Sequence, residues 1–183
     1  MATQASTAEL VAALYRTSGK AEIVGGEVVL MSPTGGLPSR AAAAIYRSLW
    51  DYERRSRSGQ AYTDNVGFLV DLPQRKSFSP DASFYVGPPP GPKFLQGAPI
   101  FAAEVRSEDD YGTAAERVMA QKRADYFAAG TRVVWDVDVL REELIRVYRA
   151  TAPEAPAVYR RGERAEAEAA LPGWTFPVDD IFE

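Results

Sequence analysis

The chain has 183 residues, 46% of them hydrophobic and 25% charged, the make-up of one ordinary globular domain spanning residues 1–183. It has no cysteine and no histidine, which excludes disulfides, thiolate nucleophiles, Cys/His zinc centres and any triad that needs an imidazole base. A net charge of −4 offers no overall attraction to nucleic acid or anionic membranes, though a local basic patch stays open.

What remains is carboxylate, lysine, serine, tyrosine and hard-metal chemistry, with oxygen ligands suited to Mg²⁺ or Mn²⁺. No apolar run approaches the ~20 residues needed to span a bilayer. The N-terminus, from Met1 to Ser6, lacks the basic and apolar regions of a signal peptide. A cytoplasmic protein is expected.

Ser6 and Glu9 form a capping-box start, followed by Leu10, Val11, Leu14 and Tyr15 at helical spacing. Gly19-Lys20 reads as a helix stop. It is not a phosphate loop, because the earlier glycine of such a motif would fall on Leu14. Residues 21–31 predict a hairpin turning at Gly25-Gly26. A helix over 38–57 places Arg40, Arg47 and Arg54 on one face at seven-residue intervals. Such a row is either a solvated face or a set of phosphate contacts.

A strand is expected over 66–71 and another over 80–86, joined to the next element by the stiff proline-rich loop 87–93. Residues 100–107 are apolar enough for a buried strand. Glu108, Asp109 and Asp110 then precede a helix over 112–129, where acids favourably meet a helix N-terminus. Gly130 closes that helix. A strand over 132–138, a hairpin of 143–149 with 157–161, an extended stretch 171–177 and a final helical turn complete the order. Adjacent strands before the 112–129 helix and a returning strand after it predict an α/β (α+β) fold. Its mixed β-sheet is flanked by helices, with an N-terminal helix and hairpin.

Two charges fall out of pattern. Glu104 lies inside an apolar strand, sharing a face with Ile100, Ala102 and Arg106. A buried carboxylate must be paired, hydrogen-bonded or bound to metal. Lys122 lies in the middle of the stripe formed by Ala115, Val118, Met119, Tyr126 and Ala129. Misplaced charges of opposite sign on consecutive elements point to one shared site. A plain Glu–Lys pair, or a lysine snorkelling outward, fits the spacing equally well.

The ordered set resembles the Uma-two family of endonucleases, within the restriction-endonuclease-like, PD-(D/E)XK superfamily. It comprises Gly26-Glu27-Val28, Met31-Ser32-Pro33, Ser79-Pro80-Asp81, Glu104-Val105-Arg106-Ser107, Lys122 with Tyr126 and Gly130, Val134 to Asp138, and Leu171-Pro172-Gly173. The resemblance covers nearly the whole chain. It implies a mixed sheet flanked by helices, DNA as substrate, Mg²⁺ or Mn²⁺ as cofactor, and a homodimer. It places the metal on Asp81, Glu104 and the Val105 carbonyl, with Lys122 orienting or activating water. Glu27 becomes a possible additional acid. The family's usual lysine position, two residues after the glutamate, holds Arg106, a poor base. Arg106, with Ser107, is therefore cast as a phosphate or carboxylate partner, and Arg40 and Arg47 as candidate DNA contacts. A nuclease-fold module that binds DNA or protein without turnover is the competing reading.

Overall fold

The computed structural model describes residues 5–183, so most of the N-terminal stretch read above lies outside it. Helix α1 (Thr7–Arg16) starts at Ser6, whose side chain and backbone exchange hydrogen bonds with Glu9. The strands β1 (Ala21–Val24) and β2 (Glu27–Leu30) pair as a hairpin. Gly25 and Gly26 both adopt positive φ at its turn, as a tight two-residue turn requires. Helix α2 (Gly36–Ser56) follows.

Next come β3 (Gln60–Thr63), the two-residue strands β4 (Phe68–Leu69) and β5 (Ser77–Phe78), then β6 (Ala82–Tyr85) and β7 (Leu95–Gln96). The buried strand β8 (Phe101–Val105) leads through α3 (Thr113–Ala128) into β9 (Val133–Asp138). A long hairpin, β10 (Leu144–Arg149) and β11 (Ala152–Arg160), precedes β12 (Arg164–Glu166) and β13 (Thr175–Pro177). A 3₁₀ turn, Val178–Phe182, ends the described chain.

Six strands form the main sheet in the order β11-β10-β9-β8-β6-β3. Only β8 and β9 run parallel, because α3 carries the chain back between them; the other neighbours are antiparallel. The sheet is therefore mixed and flanked by helices, as the sequence predicts.

Alternation along the strands sorts the two faces. Phe101, Ala103 and Val105, with Trp135 and Phe84, join α2 residues Ile45 and Leu49 in the larger core. Trp174 from the C-terminal stretch stacks on Trp135 at 4.9 Å between ring centroids. The opposite face holds Ala102 and Val134 against Tyr126 of α3, with Phe68 and Phe78 from the small β5-β4-β7 sheet.

Two expectations change. The stripe read on α3 is not buried: only Asp125 and Tyr126 are, and Val118 is 67% exposed. The N-terminal half of α3 stands off the sheet and roofs a cavity. The stretch 171–177 is extended only at its end: residues 171–173 form a turn, Trp174 is buried, and the last three residues pair with β12, a strand too short and polar to signal itself.

Candidate active site

Ala82 of β6 lies opposite Ala103 of β8. The ladder ends there: the Asp81 N–H donates to the Ala103 carbonyl at 3.1 Å, and Asp81 and Glu104, each next along its strand, both line one cavity. The end of the β6–β8 ladder brings the two acids together. Where β6 begins, Asp81 extends the ladder with its side chain: Oδ2 accepts the Val105 N–H at 2.7 Å. Its other oxygen, Oδ1, lies 2.6 Å from Lys20 Nζ, which also meets Asp64 Oδ1 at 2.7 Å.

Lys122 and Tyr126 lie one turn apart on α3 and project together. Tyr126 donates its hydroxyl to Glu104 Oε1 at 2.6 Å. Lys122 Nζ lies 2.9 Å from the same oxygen and 3.0 Å from Glu22 Oε1. Glu22 reaches this point from β1, almost fully buried, and also accepts the Ser79 N–H at 2.8 Å. Buried Arg75 bonds the second Glu22 oxygen and holds Asp125 Oδ2 at 2.9 Å. These contacts open onto a cavity of about 290 Å³ whose walls include Lys20, Asp81, Glu104 and Lys122.

The protonation states follow from the surroundings. Burial raises the Glu104 carboxyl above its ordinary value; Lys122 opposes the shift, and the charges of Asp81 and Glu22 add to it. Burial works the same way on Glu22, but Lys122 and Arg75 outweigh it and hold that carboxyl low. Desolvation would discharge Lys122, yet Glu104 and Glu22 keep its pKa above the ordinary lysine value. Lys122 is thus a fixed ammonium, suited to charge stabilisation and hydrogen-bond donation rather than to proton abstraction.

The donor set suits a hard cation held in part by water. Asp81 and Glu104 supply two carboxylates on one face, and the cavity has room for several waters at ~30 Å³ each. No group of three or more acids among the described residues is arranged to hold a metal by itself. Mg²⁺ characteristically binds through one or two carboxylates and completes its shell with water and phosphate oxygens.

The structure brings Asp81, Glu104, Val105 and Lys122 together around one cavity. Other expectations change. Glu27 is exposed, opposite Val24 at the hairpin turn; the hairpin acid that reaches Lys122 is Glu22. The outer strand β2 leaves its side chains in solvent, whereas β1 is covered on both faces. Arg106 lines the cavity but is committed to carboxylates. Its Nε and Nη2 each lie 2.7 Å from an oxygen of Asp136, and it also binds Glu116. Of its two expected roles, the structure shows the carboxylate partner. Ser107 lines the cavity, its N–H fixed 2.7 Å from Asp110. Arg40 and Arg47 are exposed on α2, which packs on the other face of the sheet, and Arg40 bonds the Glu183 carbonyl.

Sequence reasoning missed Lys20, Glu22 and Arg75. Lys20 looked like part of a helix stop. Glu22 gave a usable signal, an acid between the apolar residues Ala21 and Ile23. Arg75 lies in a polar turn-like stretch and gave none.

A family model described as "Uma2: Putative restriction endonuclease" matches residues 8–179. The chain belongs to the Uma2 family. The match spans every residue of the Uma2 site described above, from Lys20 to Tyr126. Among solved structures, the Uma2 chain is similar to a protein of Anabaena variabilis ATCC 29413 described as a "putative nuclease belonging to DUF820". The TM-score is 0.74 at 15% identity, covering 94% of this chain and 97% of that one. At that identity the likeness concerns the fold. No curated protein matches the chain.

Proposed function

We propose that this Uma2 protein is a divalent-metal-dependent endonuclease that hydrolyses phosphodiester bonds in DNA. The observation that carries the reading is the convergence of Asp81, Glu104 and Lys122 on one open cavity, with the Lys122 ammonium 2.9 Å from Glu104. Family membership and the nuclease-type fold support it.

Mg²⁺ or Mn²⁺ held by Asp81, Glu104 and the Val105 carbonyl would polarise a phosphoryl oxygen and supply an activated water. The chain's own groups do the rest. The Val105 N–H orients Asp81, and Tyr126 orients Glu104. Lys122, kept charged by its two carboxylates, hydrogen-bonds the attacking water or a non-bridging oxygen. It thereby offsets the negative charge that builds as water adds to phosphorus and the bridging oxygen departs. Two copies, as the resemblance implies, would bring one such site to each strand of a duplex.

The test is incubation of the purified protein with varied DNA and Mg²⁺ or Mn²⁺, alongside Glu104→Ala. Loss of cleavage by a factor of about 100 or more is expected in the variant, the scale of removing one group that stabilises the transition state. Equal cleavage by both proteins rejects the assignment. Salt-dependent DNA binding without cleavage under any metal would mark a binding module instead.

A further inference from the structure

Lys20 has no task in the reading above, yet it touches the heart of the site. Its ammonium lies 2.6 Å from Asp81 Oδ1 and 2.7 Å from Asp64 Oδ1. Asp64 follows Thr63, which pairs with Ala82. Asp64 thus comes off the end of β3 next to the residue that precedes β6, and Lys20 bridges the two acids. The two partners differ in setting: Asp81 is 13% exposed and faces the cavity, whereas Asp64 is 43% exposed at a turn.

Both oxygens of Asp81 are engaged, Oδ2 by the Val105 N–H and Oδ1 by Lys20. The backbone contact is fixed by the strand. Lys20 reaches Asp81 on a flexible four-carbon stem and can leave. A divalent ion coming to Asp81 needs the oxygen that Lys20 occupies, and two cations cannot share it without strong repulsion.

We propose that Lys20 is a tethered cation that occupies Asp81 until a divalent metal displaces it, with Asp64 as the partner it keeps. Lys20 thereby sets the metal affinity of the site and holds Asp81 oriented beforehand. The inference rests on the metal reading of Asp81 and Glu104.

The experiment is calorimetric titration of the intact protein with Mn²⁺, without DNA. It compares wild type, Lys20→Met, Asp64→Asn and the double variant, with Lys20→Gln as a second removal should Lys20→Met fail to fold. Lys20→Met is expected to bind Mn²⁺ about tenfold more tightly or better, the scale of one close charge in a partly wet site. Asp64→Asn should bind several-fold more weakly, because Lys20 then has only Asp81. The double variant should match Lys20→Met, since Asp64 acts through Lys20.

Wild-type Mn²⁺ binding that is unchanged or weakened by removing Lys20 overturns this inference and leaves the metal reading standing. An Asp64→Asn effect that persists in full without Lys20 also overturns it. No Mn²⁺ binding by any of the proteins overturns both.

Discussion

Asp81, just before β6, and Glu104 of β8 line one cavity; Glu104 pairs with Asp136 of β9, and Lys20 ties Asp81 to Asp64, just past β3. Four carboxylates thus follow one another in a row. Such a row is tolerable only because cations reach it from outside the main sheet or from strand ends. Lys20 serves Asp64 and Asp81, Lys122 serves Glu104, and Arg106 serves Asp136. The cavity opens at the middle of this row.

Lys122 is the shared neutraliser of Glu104 and Glu22. Removing it as Lys122→Met leaves two buried or half-buried carboxylates facing each other, so urea denaturation at neutral pH should show a loss of about 3 kcal/mol. A variant as stable as wild type would mean that Arg75 alone suffices for Glu22 and that solvent screens Glu104.

Arg106→Lys should act on folding rather than on DNA. A lysine cannot reproduce the planar fork that grips both oxygens of Asp136, and a loss of about 2–3 kcal/mol is expected. The salt dependence of DNA binding should stay as in wild type. A shallower salt slope with intact stability would instead put Arg106 on a phosphate.

Arg47 lies exposed on α2, behind the sheet from the cavity. Arg47→Ala should change stability by no more than about 0.5 kcal/mol and leave DNA affinity and cleavage untouched. Filter binding at two salt concentrations checks this.

Asp138 gives stability an acid limb. It is buried, and burial alone would raise its carboxyl. The Tyr111 hydroxyl at 2.7 Å and the N–H groups of the following turn outweigh that and lower it. A depressed folded-state pKa contributes stability that is present above the ordinary aspartate value of 3.8 and is lost as pH falls through the lower folded value. Glu22 acts in the same sense, and Glu104, whose carboxyl is raised, in the opposite one. Denaturation curves below pH ~4 should therefore steepen the fall in wild-type stability. Asp138→Asn should start less stable at neutral pH and fall less steeply. Parallel curves would remove Asp138 from the account.

The strands and helices were legible because their signals are local: the Ser6–Glu9 box, Gly25-Gly26, and the apolar run around Glu104. Glu104 and Lys122 were legible as charges out of pattern, even though the stripe that framed Lys122 turned out to roof a cavity rather than pack on the sheet. Lys20, Glu22 and Arg75 were not, because each acquires its partner through register or a loop crossing. Lys20 meets Asp81 61 positions on, and Arg75 meets Glu22 53 positions back. For Arg106 the carboxylate role was legible but the partner was not. Its strand position was evident, but Asp136, which claims its fork, becomes its neighbour only through the parallel pairing of β8 with β9.

The most direct measurement is a crystal soaked in Mn²⁺, read by anomalous scattering. Metal density held by Asp81 and Glu104, with Lys122 still beside Glu104, is the predicted result. A saturating soak that leaves Lys20 on Asp81 and shows no metal between the two carboxylates would contradict it.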